Sequence, residues 1–206
     1  MLSIAVFASG RGSNFHALAD ALSRKKVNAR IVVLISNNSD AGAIALARSL
    51  QIPALHLSQK QFPSQDAFTN EVLASLDSYG ADFIVLAGFM KKLDPRIIRR
   101  FRNKIINVHP ALLPAFGGQG MYGHHVHEAV IAQHVKRSGA TVHIVDEEFD
   151  RGPIVLQESI PVEDDDSPDS LAEKILAIEH RILPRAVELF AGNKIRVSNG
   201  IVSIHD

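Results

Sequence analysis

The feature that most constrains the fold of this chain is an alternation between short, almost wholly apolar runs and longer segments with helical spacing. The first two apolar runs are Ile4–Ala8 and Arg30–Ile35, and the segment between them carries Phe15, Leu18 and Leu22. Apolar residues at intervals of three and four indicate a helix with one buried face. Runs that are apolar at nearly every position are typical of strands in a parallel sheet covered on both faces.

The same alternation continues to the C-terminus. It predicts further strands at 54–57, 83–86, 105–108, 140–145 and 154–162, and further helices at 41–50, 65–79, from 94–95, at 124–136 and from 167–168 onward. Pro184 lies inside the last helical pattern, where a residue without an N–H donor is expected to kink or interrupt the helix. The tail at 194–204 carries a short strand pattern that turns at Asn199-Gly200.

These elements predict an α/β fold, doubly wound, with a mostly parallel central sheet and helices on both faces. The length of 206 residues suits a single domain over 1–206. Its N-terminal half, about 1–104, is expected to be mononucleotide-binding-like, and its C-terminal half, about 105–206, to complete the sheet. In such sheets ligands bind beyond the carboxyl ends of the strands.

Composition narrows the classes of function. The chain contains no cysteine, which excludes disulfides, thiolate nucleophiles and Cys-ligated metal centres. Its 22 basic and 22 acidic residues balance, which argues against a general nucleic-acid coat or a polybasic membrane binder. No apolar stretch approaches the roughly 18 residues of a membrane helix, and the N-terminus lacks the basic region of a signal peptide. We therefore expect a cytoplasmic protein that binds neither nucleic acid nor membrane.

A glycine-rich turn, SGRGSN at 9–14, joins the first predicted strand to the first predicted helix. Small residues let the backbone approach a ligand, and the free N–H groups of a helix N-terminus favour phosphate. The third glycine of the dinucleotide fingerprint is missing because Phe15 occupies its position, and the second strand is followed by Asn37 rather than an acidic residue. The turn predicts a phosphate site rather than a nicotinamide site, with a purely structural tight turn as the alternative.

The segment NVHPALLP at 107–114 follows the fifth predicted strand. Strand alternation puts Asn107 and His109 on the same side, where an amide donor and an imidazole can stabilise an oxyanion and move a proton. Two satisfied polar residues in a loop are the alternative. The acidic turn at 146–153 contains Asp150, but five charged residues before Gly-Pro are usually a solvated turn, and spacing alone does not bring Asp150 to His109.

Two further clusters carry weaker signals. His124, His125 and His127 are close in sequence, but without cysteine or a helical His-x3-His pair they predict a polar face or a helix start rather than a metal site. The stretch 91–104 has seven basic residues and one acidic residue. It is either a solvated helix face or an attractor for a polyanion such as RNA or a polycarboxylate tail.

Taken together, these motifs resemble the phosphoribosylglycinamide formyltransferases, the folate-dependent formyltransferases of purine synthesis. The resemblance runs from Ile4 to about Ala191 and is carried by SGRGSN at 9–14, LAGFM at 86–90, NVHPALLP at 107–114, TVHIVDEEFDRGPIVLQ at 141–157 and EH at 179–180. It implies a Rossmann-like formyltransferase fold and transfer of a formyl group from 10-formyltetrahydrofolate to the amine of glycinamide ribonucleotide. It implies no metal, small-molecule substrates, and a monomer or homodimer.

Carried over position by position, the resemblance implies roles for several groups of residues. The implied catalytic residues are Asn107, His109 and Asp150. The phosphate and ribose of the nucleotide would be bound by Gly12, Ser13, Asn14 and Glu179. The folate would be bound by Met90, Lys91, Lys92 and Leu93, and by Asp146, Glu147, Glu148 and Phe149. His125, His127 and His143 would border the site.

The resemblance also implies a chemistry. Asn107 and a protonated His109 would stabilise the tetrahedral oxyanion, and a nearby Asp150 carboxylate would raise the pKa of His109. The family pattern suggests a cis Leu113-Pro114 bond, whereas 117–123 is longer than in familiar members and Arg151 replaces a glycine.

Several alternatives remain open. Formyltransferases that act on a sugar nucleotide or an aminoacyl-tRNA share the Asn/His/Asp set, as does a deformylase. We expect those proteins to carry additional domains that a chain of this length does not hold. A non-catalytic nucleotide- or folate-binding protein would be expected to lack one catalytic group. An NAD-dependent oxidoreductase would be expected to keep the glycine fingerprint.

Overall fold

The structure is a computed structural model that describes residues 1–24 and 27–205. Its strands are β1 (Leu2–Phe7), β2 (Ala29–Ser36), β3 (Ala54–His56), β4 (Phe83–Leu86), β5 (Ile105–His109), β6 (Arg137–Ile144), β7 (Ile154–Pro161), β8 (Ile195–Ser198) and β9 (Ile201–Ile204). Its α-helices are α1 (Ser13–Arg24), α2 (Gly42–Ser49), α3 (Gln65–Ser78), α4 (Pro95–Arg100), α5 (His124–Ala132) and α6 (Pro168–Ala191). The strand order β3-β2-β1-β4-β5-β6-β7 defines a seven-stranded sheet, and β8 pairs with β9 in a separate two-stranded sheet.

The chain divides into two compact units, residues 1–106 and the residues from 107 onward. This boundary lies close to the division that the sequence predicts near residue 104. In the first unit, β1 pairs in parallel with both β2 and β4, and β2 pairs in parallel with β3. The chain therefore winds outward from β1 to β3 and returns to the other side of β1. Because such crossovers are nearly always right-handed, this reversal puts α1 and α2 on one face and α3 on the other, as the doubly wound prediction requires.

The second unit begins inside β5 and includes the antiparallel pair β6 and β7. The long helix α6 packs on both of these strands and on α5. Its apolar stripe is buried and consists of Leu171, Ile175, Ile178, Ile182, Leu183, Ala186, Val187 and Leu189. Ser167 begins the helix with a capping box, in which its side chain accepts a hydrogen bond from Ser170 N–H and Ser170 Oγ accepts one from Ser167 N–H. This packing covers one face of the β6–β7 pair.

One predicted helix end is wrong, and one predicted helix interruption does not occur. The helix α5 ends at Ala132 rather than at 136, because His134 takes a left-handed conformation (φ 50°) and the chain enters β6 at Arg137. The helix α6 is not interrupted at Pro184 but continues to Ala191. Pro184 is itself buried among apolar neighbours, so tertiary packing offsets the missing N–H donor that a proline brings to a helix.

Two local predictions are confirmed. The tail forms the β8–β9 hairpin, with Asn199 (φ 51°) and Gly200 (φ 74°) at its turn. Two successive positive φ values are typical of the tight turn that suits the twist of a hairpin. The Leu113-Pro114 peptide bond is cis. Among the helices that the structure describes, none combines the length and apolarity needed to cross a bilayer.

Candidate active site

In the first unit, the turn after β1 is built by close backbone approach. Gly12 has a φ of +85°, and a Cβ at this position would lie 2.8 Å from Ala43 Cβ and 2.9 Å from Ala43 Cα. The helix α1 begins immediately afterwards at Ser13, and the Asn14 side chain is buried. Only glycine therefore fits at position 12, and the turn presents backbone N–H groups at a helix N-terminus. This geometry suits a phosphate, as the sequence predicts.

Ser9 connects this turn to two neighbouring strand ends within the first unit. Its hydroxyl donates to Asn37 Oδ1 (2.6 Å) and accepts the backbone N–H of Met90 (3.0 Å), and its own N–H donates to Gly88 O (3.0 Å). The segment after β4 is thereby tied to the turn after β1. Ser9 belongs to the predicted turn at 9–14, but the motif does not indicate these side-chain hydrogen bonds, although the doubly wound prediction already puts these strand ends at one edge.

The four residues of the first unit with a predicted folate role differ in exposure. Met90, Lys91 and Lys92 are exposed, whereas the Leu93 side chain is buried. The next residue, Asp94, caps α4 by accepting the Arg96 N–H (2.8 Å), and it also accepts a hydrogen bond from Thr69 Oγ1 (3.0 Å). Hydrogen bonding to the Arg96 side chain is the main reason that the pKa of Asp94 falls to about 2. The segment thus ends on an ionised, well-anchored carboxylate.

In the second unit, a buried polar network holds the segment that follows β5. Thr141 Oγ1 donates to Ala111 O (2.6 Å) and accepts the Leu113 N–H (3.1 Å). Gln157 Nε2 donates to Leu113 O (3.1 Å) and to the same threonine oxygen (2.9 Å). The backbone beyond His109 is therefore fixed by side chains of β6 and β7. Sequence reasoning missed both Thr141 and Gln157, which look like ordinary strand residues.

Asp150 is held in a tight loop between β6 and β7. It has a φ of +54°, and two residues later a Cβ at Gly152 would overlap the carbonyl of Ile144. The Asp150 side chain is only 12% exposed, with Oδ2 3.7 Å from His109 Nδ1 and Oδ1 3.5 Å from His143 Nε2. The loop between the strands thus brings Asp150 to His109, a contact that sequence spacing alone leaves open.

Asn107 and His143 complete this cluster. Asn107 Nδ2 lies 3.2 Å from His143 Nε2, and His143 Nδ1 lies 3.0 Å from Ile144 O. Because a carbonyl oxygen only accepts, the contact with Ile144 O puts a proton on His143 Nδ1. Asn107, His109, His143 and Asp150 therefore form one contiguous polar group, which we call the Asn-His-Asp cluster.

The cluster shifts two pKa values. Burial lowers the pKa of His109 below its ordinary value, and the nearby His143 adds to this; the Asp150 charge and the Phe116 carbonyl oppose the shift without reversing it. For Asp150, burial would raise the pKa, but the hydrogen bond with His143, the His109 charge and the Gly118 N–H together lower it. The Asp150 charge therefore acts on the pKa of His109 in the expected direction, but the desolvation of a side chain only 4% exposed outweighs it, and the net shift is downward.

The histidines predicted to border the site have different surroundings. His143 belongs to the Asn-His-Asp cluster. His127 is buried, and its pKa falls to about 4 because of burial first and then the charges of His124 and His109. His125 is exposed, lying 3.2 Å from Glu128 and edge-on to the Tyr122 ring. His127 thus lies within electrostatic reach of His109.

The other residues of the second unit with a predicted binding role do not belong to the Asn-His-Asp cluster. Glu179 is buried on α6. In the loop after β6, Asp146 Oδ1 accepts the Glu148 N–H (3.0 Å), while Glu147, Glu148 and Phe149 are exposed. Over residues 1–24 and 27–205, no three His, Asp or Glu side chains form a group that could hold a metal ion.

Comparison with known proteins gives one consistent result. The family model described as formyl transferase matches residues 2–187. The chain is 40% identical over 194 residues to the chloroplastic phosphoribosylglycinamide formyltransferase of Arabidopsis thaliana, covering 94% of this chain and 66% of that protein. It is 33% identical over 196 residues to the phosphoribosylglycinamide formyltransferase of Escherichia coli K12, covering 95% of this chain and 90% of that protein. It therefore spans just under two thirds of the plant relative's length.

A solved structure agrees with these matches. The crystal structure of glycinamide ribonucleotide transformylase 1 from Symbiobacterium toebii superposes with a TM-score of 0.94 at 37% identity, covering 100% of this chain and 95% of that chain. The predicted formyltransferase fold, a mostly parallel sheet with helices, is thereby confirmed. The chain belongs to the formyl transferase family.

Proposed function

We propose that this chain transfers the formyl group of 10-formyltetrahydrofolate to the amine of glycinamide ribonucleotide, as a step of purine synthesis. The observation that carries the proposal is the pairing of His109 with Asp150 beside Asn107, in a chain whose relatives are named phosphoribosylglycinamide formyltransferase. The cluster offers an amide donor, two imidazoles and a carboxylate, and no hydroxyl or thiol nucleophile. This set suits a reaction in which the substrate supplies the nucleophile.

The proposed chemistry uses the substrate's own amine. The amine nitrogen forms a bond to the formyl carbon, and the carbonyl π electrons move to the oxygen. Asn107 Nδ2–H and His109 donate hydrogen bonds to that oxyanion, which is the point where charge develops. The bond from the carbon to folate N10 then breaks, N10 gains a proton and the amine loses one. Asp150 lies close enough to His109 to stabilise its charged form while that proton moves, directly or through water.

The lowered pKa of His109 has a consequence for this step. In the ligand-free chain the imidazole is mostly neutral at pH 7, since burial puts its pKa below the ordinary value. A neutral imidazole still donates one hydrogen bond to the oxyanion, and it gains a stronger proton affinity as negative charge develops on that oxygen. We therefore propose that His109 becomes charged during the reaction rather than before it.

Binding roles are proposed for the other residues. The N–H groups around Gly12 and Ser13, with the Asn14 side chain, bind the phosphate at the N-terminus of α1. Glu179 binds ribose hydroxyls, which its buried carboxylate can accept from. Met90 and Phe149 offer exposed apolar surface to the folate, Leu93, whose side chain is buried, offers its backbone groups, and Lys91 and Lys92 offer charge to the folate carboxylates. Asp146, Glu147 and Glu148 supply the polar part of the second folate segment. His125, His127 and His143 border the site.

The proposal needs no metal ion and no nucleic acid. We expect a cytoplasmic protein that acts as a monomer or homodimer, and neither expectation is needed for the chemistry. One plant relative is named as chloroplastic.

A formyl-transfer assay tests the proposal. The purified protein is mixed with 10-formyltetrahydrofolate and glycinamide ribonucleotide, and the folate absorbance change is followed. We expect turnover that requires both substrates and is lost in His109→Ala. Wild-type turnover without glycinamide ribonucleotide, or full turnover by His109→Ala, contradicts the proposal.

One alternative keeps the same chemistry with a different amine, such as that of a sugar nucleotide or an aminoacyl-tRNA. It is favoured if the protein binds 10-formyltetrahydrofolate but does not turn over with glycinamide ribonucleotide. The same assay with an amino-sugar nucleotide or methionyl-tRNA as acceptor then separates the two.

A further inference from the structure

A backbone segment, Phe116–Gly118, contacts both members of the His109–Asp150 pair. The carbonyl oxygen of Phe116 lies 2.8 Å from His109 Nε2. The N–H of Gly118 donates to Asp150 Oδ2 at 2.9 Å. The same Oδ2 faces His109 Nδ1 at 3.7 Å. The segment therefore contacts His109 at Nε2, and it contacts Asp150 at Oδ2, the carboxylate oxygen that faces the imidazole.

The segment reaches this position because of its backbone conformation and because its two glycines carry no side chain. Phe116 has a φ of +55° and Gly118 a φ of +101°, both in the left-handed region. A Cβ at Gly117 would lie 2.5 Å from Leu113 Cδ2 and 3.1 Å from Asp150 Cβ. A positive φ in a phenylalanine costs free energy, and such strain is often found at functional sites.

These contacts determine where the proton of a neutral His109 lies. A carbonyl oxygen can only accept a hydrogen bond, so the contact with Phe116 places a proton on Nε2. The bare Nδ1 then faces Asp150. His143 on β6 and His127 on α5 are the other titratable groups whose charges act on or respond to His109. The 3.7 Å spacing to Asp150 leaves Nδ1 without a short hydrogen bond in this form.

We infer that Phe116–Gly118 is a positioning segment for formyl transfer. The Phe116 carbonyl accepts the hydrogen bond of His109 Nε2–H until the formyl oxygen of the substrate takes the place of that carbonyl, and the Gly118 N–H orients Asp150 toward His109 Nδ1. This inference rests on the proposed function. The exchange is between two carbonyl oxygens, so the Nε2 donor keeps its proton and its partner type when substrate binds. The oxyanion donor is thus prepared in advance, which is the arrangement that electrostatic catalysis requires.

The first measurement is made on the free protein. Nitrogen-15 NMR of the imidazole distinguishes the two neutral tautomers, and His109→Gln identifies the signal. We expect His109 to carry its proton on Nε2 in the ligand-free wild type and to titrate below the ordinary histidine range. A proton found on Nδ1 overturns the inference, whatever the variants do.

The second measurement compares two glycine variants of the same loop. Gly117→Ala places a methyl group against Leu113 and Asp150, whereas Gly120→Ala, at φ +89°, brings backbone strain but has no atom within 4 Å of the added methyl group. We expect Gly117→Ala to mix the His109 tautomers, to lower kcat at least tenfold with KM changed less than threefold, and to shift the pH profile of kcat. Gly120→Ala should keep the wild-type tautomer and pH profile. Unchanged tautomer and kcat in Gly117→Ala contradict the inference.

A third measurement separates this inference from the proposed function. Adding 10-formyltetrahydrofolate alone to the labelled wild type should shift the His109 Nε2–H resonance and leave the proton on Nε2. A protein that binds the folate without this shift contradicts the exchange of oxygens. A protein that shows the Nε2 tautomer but no turnover with any amine contradicts the proposed function and not the positioning of His109 by the segment.

Discussion

The turn after β1 and the Asn-His-Asp cluster are built in opposite ways. The turn in the first unit is six consecutive residues, and its chemistry lies in backbone N–H groups exposed by small side chains. The cluster in the second unit is assembled from side chains of β5, β6 and the loop after β6, with a further backbone contribution from Phe116–Gly118. The first kind of site is sensitive to an added Cβ, and the second to the loss of one functional group.

This difference predicts different kinetic consequences. A change in a backbone turn that only binds substrate alters ground state and transition state equally, so KM should rise while kcat stays. A change in a group that meets developing charge should lower kcat. Variants of the two regions can therefore be compared by their kcat and KM values.

The largest effect is expected for Asp150→Asn. The amide keeps the shape of the carboxylate and can still accept the Gly118 N–H, but it removes the charge that stabilises a protonated His109. Loss of such electrostatic support costs about 3–4 kcal/mol of transition-state stabilisation, or roughly 100- to 1,000-fold in kcat. Binding of both substrates should survive, measured by initial rates and by titration of the folate. Asp165→Asn, an exposed aspartate outside the cluster, is the control. A kcat within threefold of wild type for Asp150→Asn removes Asp150 from the mechanism.

The second effect concerns stability at the edge of the cluster. The pKa of His127 is lowered to about 4 from 6.5, so the unfolded chain binds more protons between these pH values and stability rises with pH across this window. The part of the free energy of unfolding that depends on a neutral His127 is fully present above pH 6.5. It is lost as pH falls toward 4, by up to about 3 kcal/mol at 1.36 kcal/mol per pKa unit.

Replacing His127 by glutamine tests this linkage. His127→Gln removes the titrating group, so its free energy of unfolding should fall less steeply than that of the wild type between pH 6.5 and 4, as measured by urea titrations at several pH values. The exposed His125→Gln should keep the wild-type slope. Identical slopes for His127→Gln and wild type would show that His127 is not buried as a neutral imidazole.

The contrast between the two regions also explains how much of the site could be read from the sequence. The turn after β1 is contiguous, and its residues carry their own conformational signal, so SGRGSN is sufficient to predict a tight turn between β1 and α1. The contact of Asp150 with His109 depends on the fold of the β6–β7 loop, with Asp150 at positive φ and Gly152 packed on Ile144. Phe116 and Gly118 contact His109 and Asp150 through backbone atoms, and the type of a residue does not indicate what its backbone atoms contact.

The errors have the same origin. The spacing of apolar residues predicts most helices and strands, because the buried positions of each element recur at regular intervals along the chain. The end of α5 and the continuity of α6 across Pro184 depend on what each segment packs against. The sign of the His109 pKa shift depends on burial, which outweighs the neighbouring Asp150 charge. Pairwise charge reasoning is possible from sequence motifs, whereas desolvation requires the packed structure.

A smaller effect is expected for Gly12→Ala in the turn after β1. Its Cβ would press on Ala43, so the turn or α2 must move, and the N–H groups that we propose bind the phosphate shift with it. Loss of a charge-assisted hydrogen bond costs about 1.5–3 kcal/mol, so KM for glycinamide ribonucleotide should rise roughly 10- to 100-fold with kcat within a few-fold of wild type. Gly80→Ala has a similar positive φ (+63°) but no neighbour within 4 Å, and it should leave KM unchanged. A fall in kcat with constant KM would place this turn in the chemistry and end the contrast.

The smallest effect is expected at Asp94, which supports the segment after β4 without belonging to either region. Asp94→Ala removes the cap of α4 and should lower the free energy of unfolding by about 1 kcal/mol. Asparagine also caps helices, so Asp94→Asn separates the cap from the ion pair with Arg96. Because hydrogen bonding to Arg96 lowers the pKa of Asp94 to about 2, the ion pair stabilises the fold above pH 3.8 and is lost as pH falls toward 2. The difference between wild type and Asp94→Asn should therefore shrink over that range, measured by thermal unfolding. A difference that persists below pH 2 would show that the carboxylate stabilises α4 by its shape and not by its charge.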